Sequence, residues 1–305
     1  MLEAKRGQTI GVVIPYFQNW ELFLQLFESL ERQSFSHWKA LVINDAGRPL
    51  DSEQSSRVAK DPRVTVIEHD SNRGPARTWN EGIETFLKDS SVSLITIVHA
   101  DDVLQPDFLK QSVKAHESNP DCAVVHTAVM TIGPTGQPVL RLRDFVKRLN
   151  RPIAKRAQFL SVGDKGLAKI LRGNFVFCPT MSFKAGRIEN YRFAENYKMV
   201  LDLDLVSRML MNGESVVGLT RRLYKYRRHS QSLTEQYTRD VSRFEEEVSL
   251  YQQLSIRGSE IGFHATAAAA RWRLAIRIHL VLRMFRNVVR GHGLDRRLLK
   301  LLLSR

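Results

Sequence analysis

Leu94-Ile95-Thr96-Ile97-Val98-His99-Ala100-Asp101-Asp102-Val103-Leu104, residues 94–104, decides the fold. The first five residues read as a strand buried on both faces, the kind a parallel sheet uses. The run ends abruptly in two adjacent carboxylates, and residues 106–117 follow as a helix with Pro106 at its first turn. Upstream the unit repeats. Residues 10–14 predict a strand and 20–33 a helix; residues 39–44 predict a strand closed by Asp45-Ala46-Gly47; residues 64–67 predict a strand, and 75–88 a helix entered through Asn72-Arg73-Gly74. Strands alternating with helices of this length imply an α/β protein with a mostly parallel, Rossmann-like sheet covered on both faces. Downstream, 122–129 predicts a strand, 133–136 a turn, 141–159 a basic loop near the site, 164–171 a helix, 176–183 a strand and 202–211 a helix. From residue 240 only helical patterning remains, with no internal repeat or low-complexity segment.

The composition is that of an ordinary globular chain. Its 305 residues hold 46 Lys+Arg against 32 Asp+Glu, 43% hydrophobic and 26% charged residues, 17 Gly and 10 Pro, which excludes disordered, collagen-like and disulfide-scaffold classes. Cys122 and Cys178 each sit in an apolar run without a partner at metal-ligand spacing, so buried thiols and a reducing compartment are expected. Residues 10–14 are too short for a secretory core, and Arg277, Arg283 and Arg286 interrupt the longest apolar region, so neither a signal peptide nor a spanning helix is expected. The net charge of +14 is uneven: residues 271–305 carry ten Arg or Lys and one acid, Asp295, and therefore +9 of it.

In an open parallel sheet ligands bind beyond the carboxyl ends of the strands. Three of those ends carry Pro15-Tyr16, Asp45-Ala46-Gly47 and His99-Ala100-Asp101-Asp102. Adjacent carboxylates repel, and in such a turn a cation commonly neutralises them; a solvated turn capping the next helix is the other reading. Asp45 alone, and Asn72 with Gly74 alone, read equally as turn residues.

Taken together, and in this order, these segments resemble the family 2 glycosyltransferases with a GT-A fold. The resemblance rests on Pro15, Asp45, the stretch Asn72-Arg73-Gly74-Pro75-Ala76-Arg77-Thr78-Trp79-Asn80-Glu81-Gly82, and Asp101-Asp102-Val103-Leu104 with Pro106. It continues through Arg172-Gly173-Asn174-Phe175 with Pro179-Thr180, Asp202-Leu203-Asp204-Leu205 and Tyr226-Arg227-Arg228-His229-Ser230, and covers residues 8–233.

The resemblance implies an inverting enzyme that moves a sugar from a nucleotide sugar, with UDP favoured, to an acceptor hydroxyl. Asp45 would recognise the nucleobase, Pro15 and Tyr16 would line the same pocket, and Asn72, Gly74, Arg77 and Asp101 would complete the nucleotide side. Trp79 stands where relatives often carry Arg, and Arg77 could take over its contact. Asp101 and Asp102 would hold Mg²⁺ or Mn²⁺, with His99, which replaces the family's usual first Asp, as a ligand, a sugar contact or strand-end packing. Asp202 matches the catalytic base, although Leu201 replaces the usual preceding acid. Asp204 competes for that role, about 200° away at 100° per residue on the same helix. Arg227 and His229 would approach the diphosphate or metal unless they form a basic surface turn. Asn174 and Thr180 would line the acceptor side unless they are buried polar packing.

The tail alternates apolar residues with arginine over 272–289, and a second short helix is expected over 294–303. It reads either as helices packed on the domain or as an in-plane helix at an anionic membrane surface. The expected organisation is a glycosyltransferase domain over 1–235, with a nucleotide-sugar half over 8–120 and an acceptor half over 121–235, and a basic helical region over 236–305. The acceptor expected is a glycan or lipid-linked glycan, at the cytoplasmic, inner face of the plasma membrane. No nucleic-acid motif accompanies the charge. Specificity is expected in residues 136–163. A nucleotidyltransferase would need a Gly-rich loop after the first strand, which Pro15-Tyr16-Phe17-Gln18-Asn19 lacks. A non-catalytic polyanion-binding protein would have no need of Asp45, Asp101, Asp102 and Asp202 together.

Overall fold

The computed structural model describes residues 8–139, 157–173, 175–229, 237, 241–291 and 293–304. The chain runs β1 (Thr9–Tyr16), α1 (Trp20–Glu31), β2 (Trp38–Asn44), α2 (Ser52–Ala59), β3 (Val64–Glu68), α3 (Pro75–Leu87), β4 (Val92–Ile97), β5 (Val103–Leu104) and α4 (Phe108–Ser118). It continues through β6 (Val124–Ile132), β7 (Gln158–Val162), α5 (Gly163–Gly173), a 3-10 turn (Cys178–Thr180), β8 (Met181–Lys184), α6 (Ala185–Ile188), α7 (Leu201–Met211) and β9 (Ser215–Arg227). Four helices close it: α8 (Ser242–Glu260), α9 (His264–Trp272), α10 (Leu274–Val289) and α11 (Arg296–Leu303).

One mixed sheet has the order β3-β2-β1-β4-β8-β6-β9-β5, with β7 on another stretch of β9. β1 to β4 are mutually parallel, β8 runs antiparallel between β4 and β6, and β9 is parallel to β6. Alternation along the strands builds two apolar layers. Val13, Ile95 and Ile97 face α3, α5, α7 and α8, whereas Ile10, Val12, Ile14 and Leu94 face α1 and α4. Both cysteines are buried and free.

Several sequence expectations change at the local level. The strand expected over 176–183 is a 3-10 turn followed by a strand that starts only at Met181, because Pro179 has no N–H to give a ladder. Most of the loop expected over 141–159 lies outside the described residues, but Gln158 and Phe159 already belong to β7. Tyr226 and Arg227, expected in a basic loop, end the 13-residue strand β9. The register of β9 against β6 slips after Thr127, which pairs with Leu219, so that Ala128 faces Arg222 and Val129 faces Tyr224. That slip brings the far half of β9 beside the loop after β4.

The carboxyl-terminal helices are tied to the body. The Asp164 carboxylate on α5 accepts from the N–H groups of Ala265 and Thr266 at the start of α9, and Tyr251 on α8 donates to the Leu171 carbonyl. No helix among the described residues is long and apolar enough to cross a membrane.

Candidate active site

Two acidic corners stand at the ends of β2 and β4, with β1 between them. At the first, β2 ends in Asn44-Asp45, and the turn is so tight that a Cβ on Gly47 would lie 1.4 Å from the Phe17 carbonyl oxygen. The buried Asp45 carboxylate accepts from Arg73 N at 2.8 Å, Gly74 N at 2.8 Å and His69 Nδ1 at 2.9 Å. The other His69 nitrogen faces Glu81 Oε2 at 2.8 Å. Gly74, at φ 81°, caps α3 ahead of Pro75, a conformation that suits glycine. Asp45 thus closes the segment 72–74 onto the sheet. Around it, Asn72 is exposed and Pro15 half-buried, while the Tyr16 ring is buried edge-on against Phe23 and contributes its carbonyl, which accepts from Asp45 N. Arg77 points outward and pairs with Glu195 at 2.6 Å.

The second corner follows β4. His99, Asp101 and Asp102 place ligand atoms within 4.8 Å of one another. Asp102 is fully buried and accepts from Tyr224 Oη at 2.8 Å and Arg227 N at 2.6 Å. Burial, then the charge of Asp101, pushes its carboxyl well above the usual carboxylate range, against those two hydrogen bonds. Asp101 keeps 31% of its side chain exposed and accepts from His229 Nε2 at 2.7 Å. Burial raises it too, but the His229 hydrogen bond and neighbouring positive charge outweigh that and hold it below the usual range. His99 stacks on Trp79 with ring centroids 5.8 Å apart. Burial lowers its pKa against the pull of Asp101, and its Nε2 is buried without a hydrogen-bond partner. Adjacent carboxylates beside the His99 imidazole, whose Nδ1 lies 3.9 Å from Asp102 Oδ2, form an N/O donor set that fits a divalent cation.

The two late basic residues separate in role. His229 reaches the carboxylate of Asp101, whereas the Arg227 guanidinium is buried and donates to the carbonyls of Asp101 (2.6 Å), Gly133 (3.3 Å) and Pro134 (2.8 Å) and to Gln25 Oε1 (2.7 Å). It rivets three segments together behind the corner rather than presenting its charge to the cleft.

The carboxylates of α7 also diverge. Asp204 is buried and held by Arg208 at 2.8 Å, and Arg208 donates as well to the Arg192 carbonyl. Asp202 is half-buried at the first turn, accepts from Leu203 N at 2.8 Å, and adds its negative charge to burial in keeping the Cys178 thiol protonated. Thr180 is fully buried and donates to the Phe177 carbonyl; Asn174 lies outside the described residues.

Sequence reasoning missed Tyr224, Gln25, His69 and Glu81. His69 could have been found as the polar end of the third strand, directly after Glu68; Tyr224 and Gln25 carry no local signal, since their partners lie far away in the chain.

The sequence profile described as Glycosyl transferase family 2 matches residues 11–173, just over half of the chain. A curated relative named as a putative colanic acid biosynthesis glycosyl transferase, WcaA of Escherichia coli, is 28% identical over 80 residues, 26% of this chain and 29% of that protein. The chain spans only 13% to 29% of the length of the curated relatives it matches. Among solved structures, S. aureus TarS 1-349 in complex with UDP-GlcNAc superposes with a TM-score of 0.59 at 15% identity, over 81% of this chain and 66% of that one. The Pyrobaculum calidifontis mannosyltransferase PcManGT, in complex with GDP-Man and Mn²⁺, gives 0.59 at 18% identity, over 90% and 74%. Both share the mixed sheet with its flanking helices. With Asp45, Asp101, Asp102 and α5 all inside the matched span, this chain, which has the GT-A fold, belongs to glycosyltransferase family 2.

Proposed function

We propose that the chain is an inverting, metal-dependent glycosyltransferase that moves a sugar from a nucleotide sugar, with UDP favoured, to a hydroxyl of a lipid-linked or cell-envelope glycan. The observation that carries this reading is the second corner: two adjacent carboxylates, the His99 imidazole and His229 converge beyond the end of β4, with β1 between them and Asp45. Mg²⁺ or Mn²⁺ bound there would neutralise the charge that builds on the departing diphosphate.

The chain's own groups divide the remaining work. Asp45 and the segment it closes, with Pro15, the Tyr16 backbone, Asn72 and Gly74, shape the nucleobase side, and Arg77 stands at its rim. Asp101 and the His99 imidazole offer ligand atoms, while Asp102, anchored by Tyr224 and Arg227 and held toward its neutral form by burial, would add its carboxylate to the set when a cation is bound. His229 orients Asp101. Asp202 takes the proton from the acceptor hydroxyl as the new bond forms; Asp204, already committed to Arg208, does not compete. In this reading 8–120 is the donor half, 121–235 with Asn174 and Thr180 the acceptor half, and 236–305 a basic region directed to the membrane. The glycan class is supported by the likeness to WcaA and by the basic tail, which suits a peripheral position at the cytoplasmic face of the plasma membrane.

Titration calorimetry with UDP tests the reading. Binding is expected with Mn²⁺, is lost in EDTA and is lost in Asp101→Asn; the absence of binding for UDP, GDP and dTDP alike with metal present would overturn it. Asp202→Asn is expected to keep UDP binding while sugar transfer falls about a hundred- to ten-thousandfold; transfer at the wild-type rate would remove Asp202 from the mechanism.

A further inference from the structure

Helix α10 is apolar on two opposed faces. Ile276 and Leu280 are buried, and Met284 packs beside them against α8 and the core. At 100° per residue, Leu274, Ile278, Val281, Leu282, Phe285, Val288 and Val289 fall together on the other side, in an arc about 120° wide. All seven are exposed, with Phe285 at 66% and Val289 at 70%, and Trp272 just before the helix is 68% exposed. Single exposed apolar residues are ordinary, but a continuous stripe four turns long is an interaction surface. Arg277 borders one edge of the arc and Arg286 the other, and exposed Arg290 caps the helix end. No acid occurs from 271 to 294.

The equally Leu-rich α11 does not share this exposure. Leu298 is fully buried, Leu301 and Leu302 pack against the core, and Arg297 pairs with Glu245 of α8 at 2.7 Å. Arg273, at the bend before α10, donates to the Ser304 carbonyl. α11 is therefore a strap that holds α10 with its second apolar face outward, and the tail is not uniformly available.

We propose that this outward face of α10 docks in the plane of a bilayer that carries anionic lipids, the apolar stripe entering the interface and Arg277, Arg286 and Arg290 reaching the headgroup phosphates. The flanking charge selects the occupant. A second copy seated face to face would set arginine against arginine with no acid in the stripe to balance it, whereas an anionic lipid surface complements both the stripe and its edges. At 16 residues the helix is about 24 Å long, too short to span the hydrocarbon. The proposal deepens the membrane side of the function proposed above, and its test separates the two.

The 305-residue chain is sedimented with phosphatidylcholine vesicles with and without phosphatidylglycerol. Binding is expected only with phosphatidylglycerol and weakens with added salt. Val281→Asp/Phe285→Asp lowers it at least about tenfold, Arg286→Glu/Arg290→Glu about thirtyfold, and Ile256→Asp, an exposed apolar position on α8, leaves it unchanged. Equal binding of both vesicle types, or wild-type binding by the charge-reversal variant, overturns the proposal. So does a chain that ignores vesicles but forms a dimer, by light scattering, that Val281→Asp/Phe285→Asp abolishes. UDP calorimetry on the same samples keeps the readings apart: retained nucleotide binding with lost vesicle binding concerns α10 alone, and lost nucleotide binding in the wild type concerns the donor site alone. Should the apolar variant misfold by circular dichroism, the charge-reversal variant, at two exposed positions, decides.

Discussion

The two acidic corners are built from the same material and end in opposite electrostatic states. At the end of β2 a single carboxylate meets three N–H donors within hydrogen-bonding distance and is satisfied by the chain itself. At the end of β4 two carboxylates meet one imidazole, one hydroxyl and one backbone N–H, and Asp102 is pushed toward its neutral form by burial and by its neighbour. The first corner is satisfied by the chain itself, whereas the second keeps a partly exposed carboxylate, Asp101, that a ligand could meet. In the function proposed above, the first is the recognition element and the second the catalytic one.

The contrast can be broken at several points. The largest effect is expected for Asp101→Asn, which removes the exposed charge of the incomplete corner: kcat falls about a hundred- to a thousandfold, measured by donor turnover, and a fall below tenfold would mean that the carboxylate is not used. Asp45→Asn should act on the complete corner instead, turning an amide N–H toward donors and raising the donor KM about thirtyfold with kcat nearly unchanged; steady-state kinetics showing the reverse split would erase the distinction drawn here. Tyr224→Phe leaves Asp102 and the His99 N–H each short of a partner. Mn²⁺ affinity should fall about tenfold and stability by about 1–3 kcal/mol, read by calorimetry and urea unfolding.

The smallest effect is a pH slope. Asp102 has a raised folded pKa, so the folded state binds its proton more tightly than the unfolded chain does, and metal-free stability is lost as pH rises from the ordinary carboxylate range. Asp101, lowered, contributes stability that grows over the pH range just below its ordinary value. Asp102→Asn should remove only the first effect, so the variant gains on the wild type as pH rises in EDTA; parallel denaturant midpoints from acid to neutral pH would contradict the burial argument.

Much of this was legible in the sequence, and unequally so. The core strands β1, β2 and β4 followed from short apolar runs that end in polar residues, because strands buried on both faces leave no other pattern. Asp45, Asp101 and Asp102 were legible for the same reason: each sits where such a run stops. β9 was not, since its outer half alternates arginine, lysine and tyrosine and only the slip against β6 turns Tyr224 and Arg227 inward. Arg227 read as a charge for a ligand and is instead a buried rivet. Asp202 and Asp204 were indistinguishable by type; burial and the ion pair to Arg208 single out Asp204 in the structure. The tail's basic and apolar periodicity was plain, but which helix turns inward depends on the burial of Leu298 and on the Arg297–Glu245 ion pair, which links α11 to α8.

The order of assembly follows from the long reach of β9. Asp45 finds its partners 24 to 29 residues away, so the first corner can close as soon as α3 begins to form. Asp102 waits 122 residues for the Tyr224 hydroxyl, Asp101 waits 128 for His229, and Arg227 must find Gln25 across 202. Contacts of that separation form late and slowly, because each must first overcome the entropy of closing a long loop. A chain still emerging from the ribosome at the end of α5 therefore holds a finished first corner beside the two acids of the second, whose partners Tyr224 and His229 have yet to be made. The second corner is the last part of the sheet to be completed, and truncation before residue 224 would leave both acids without those partners.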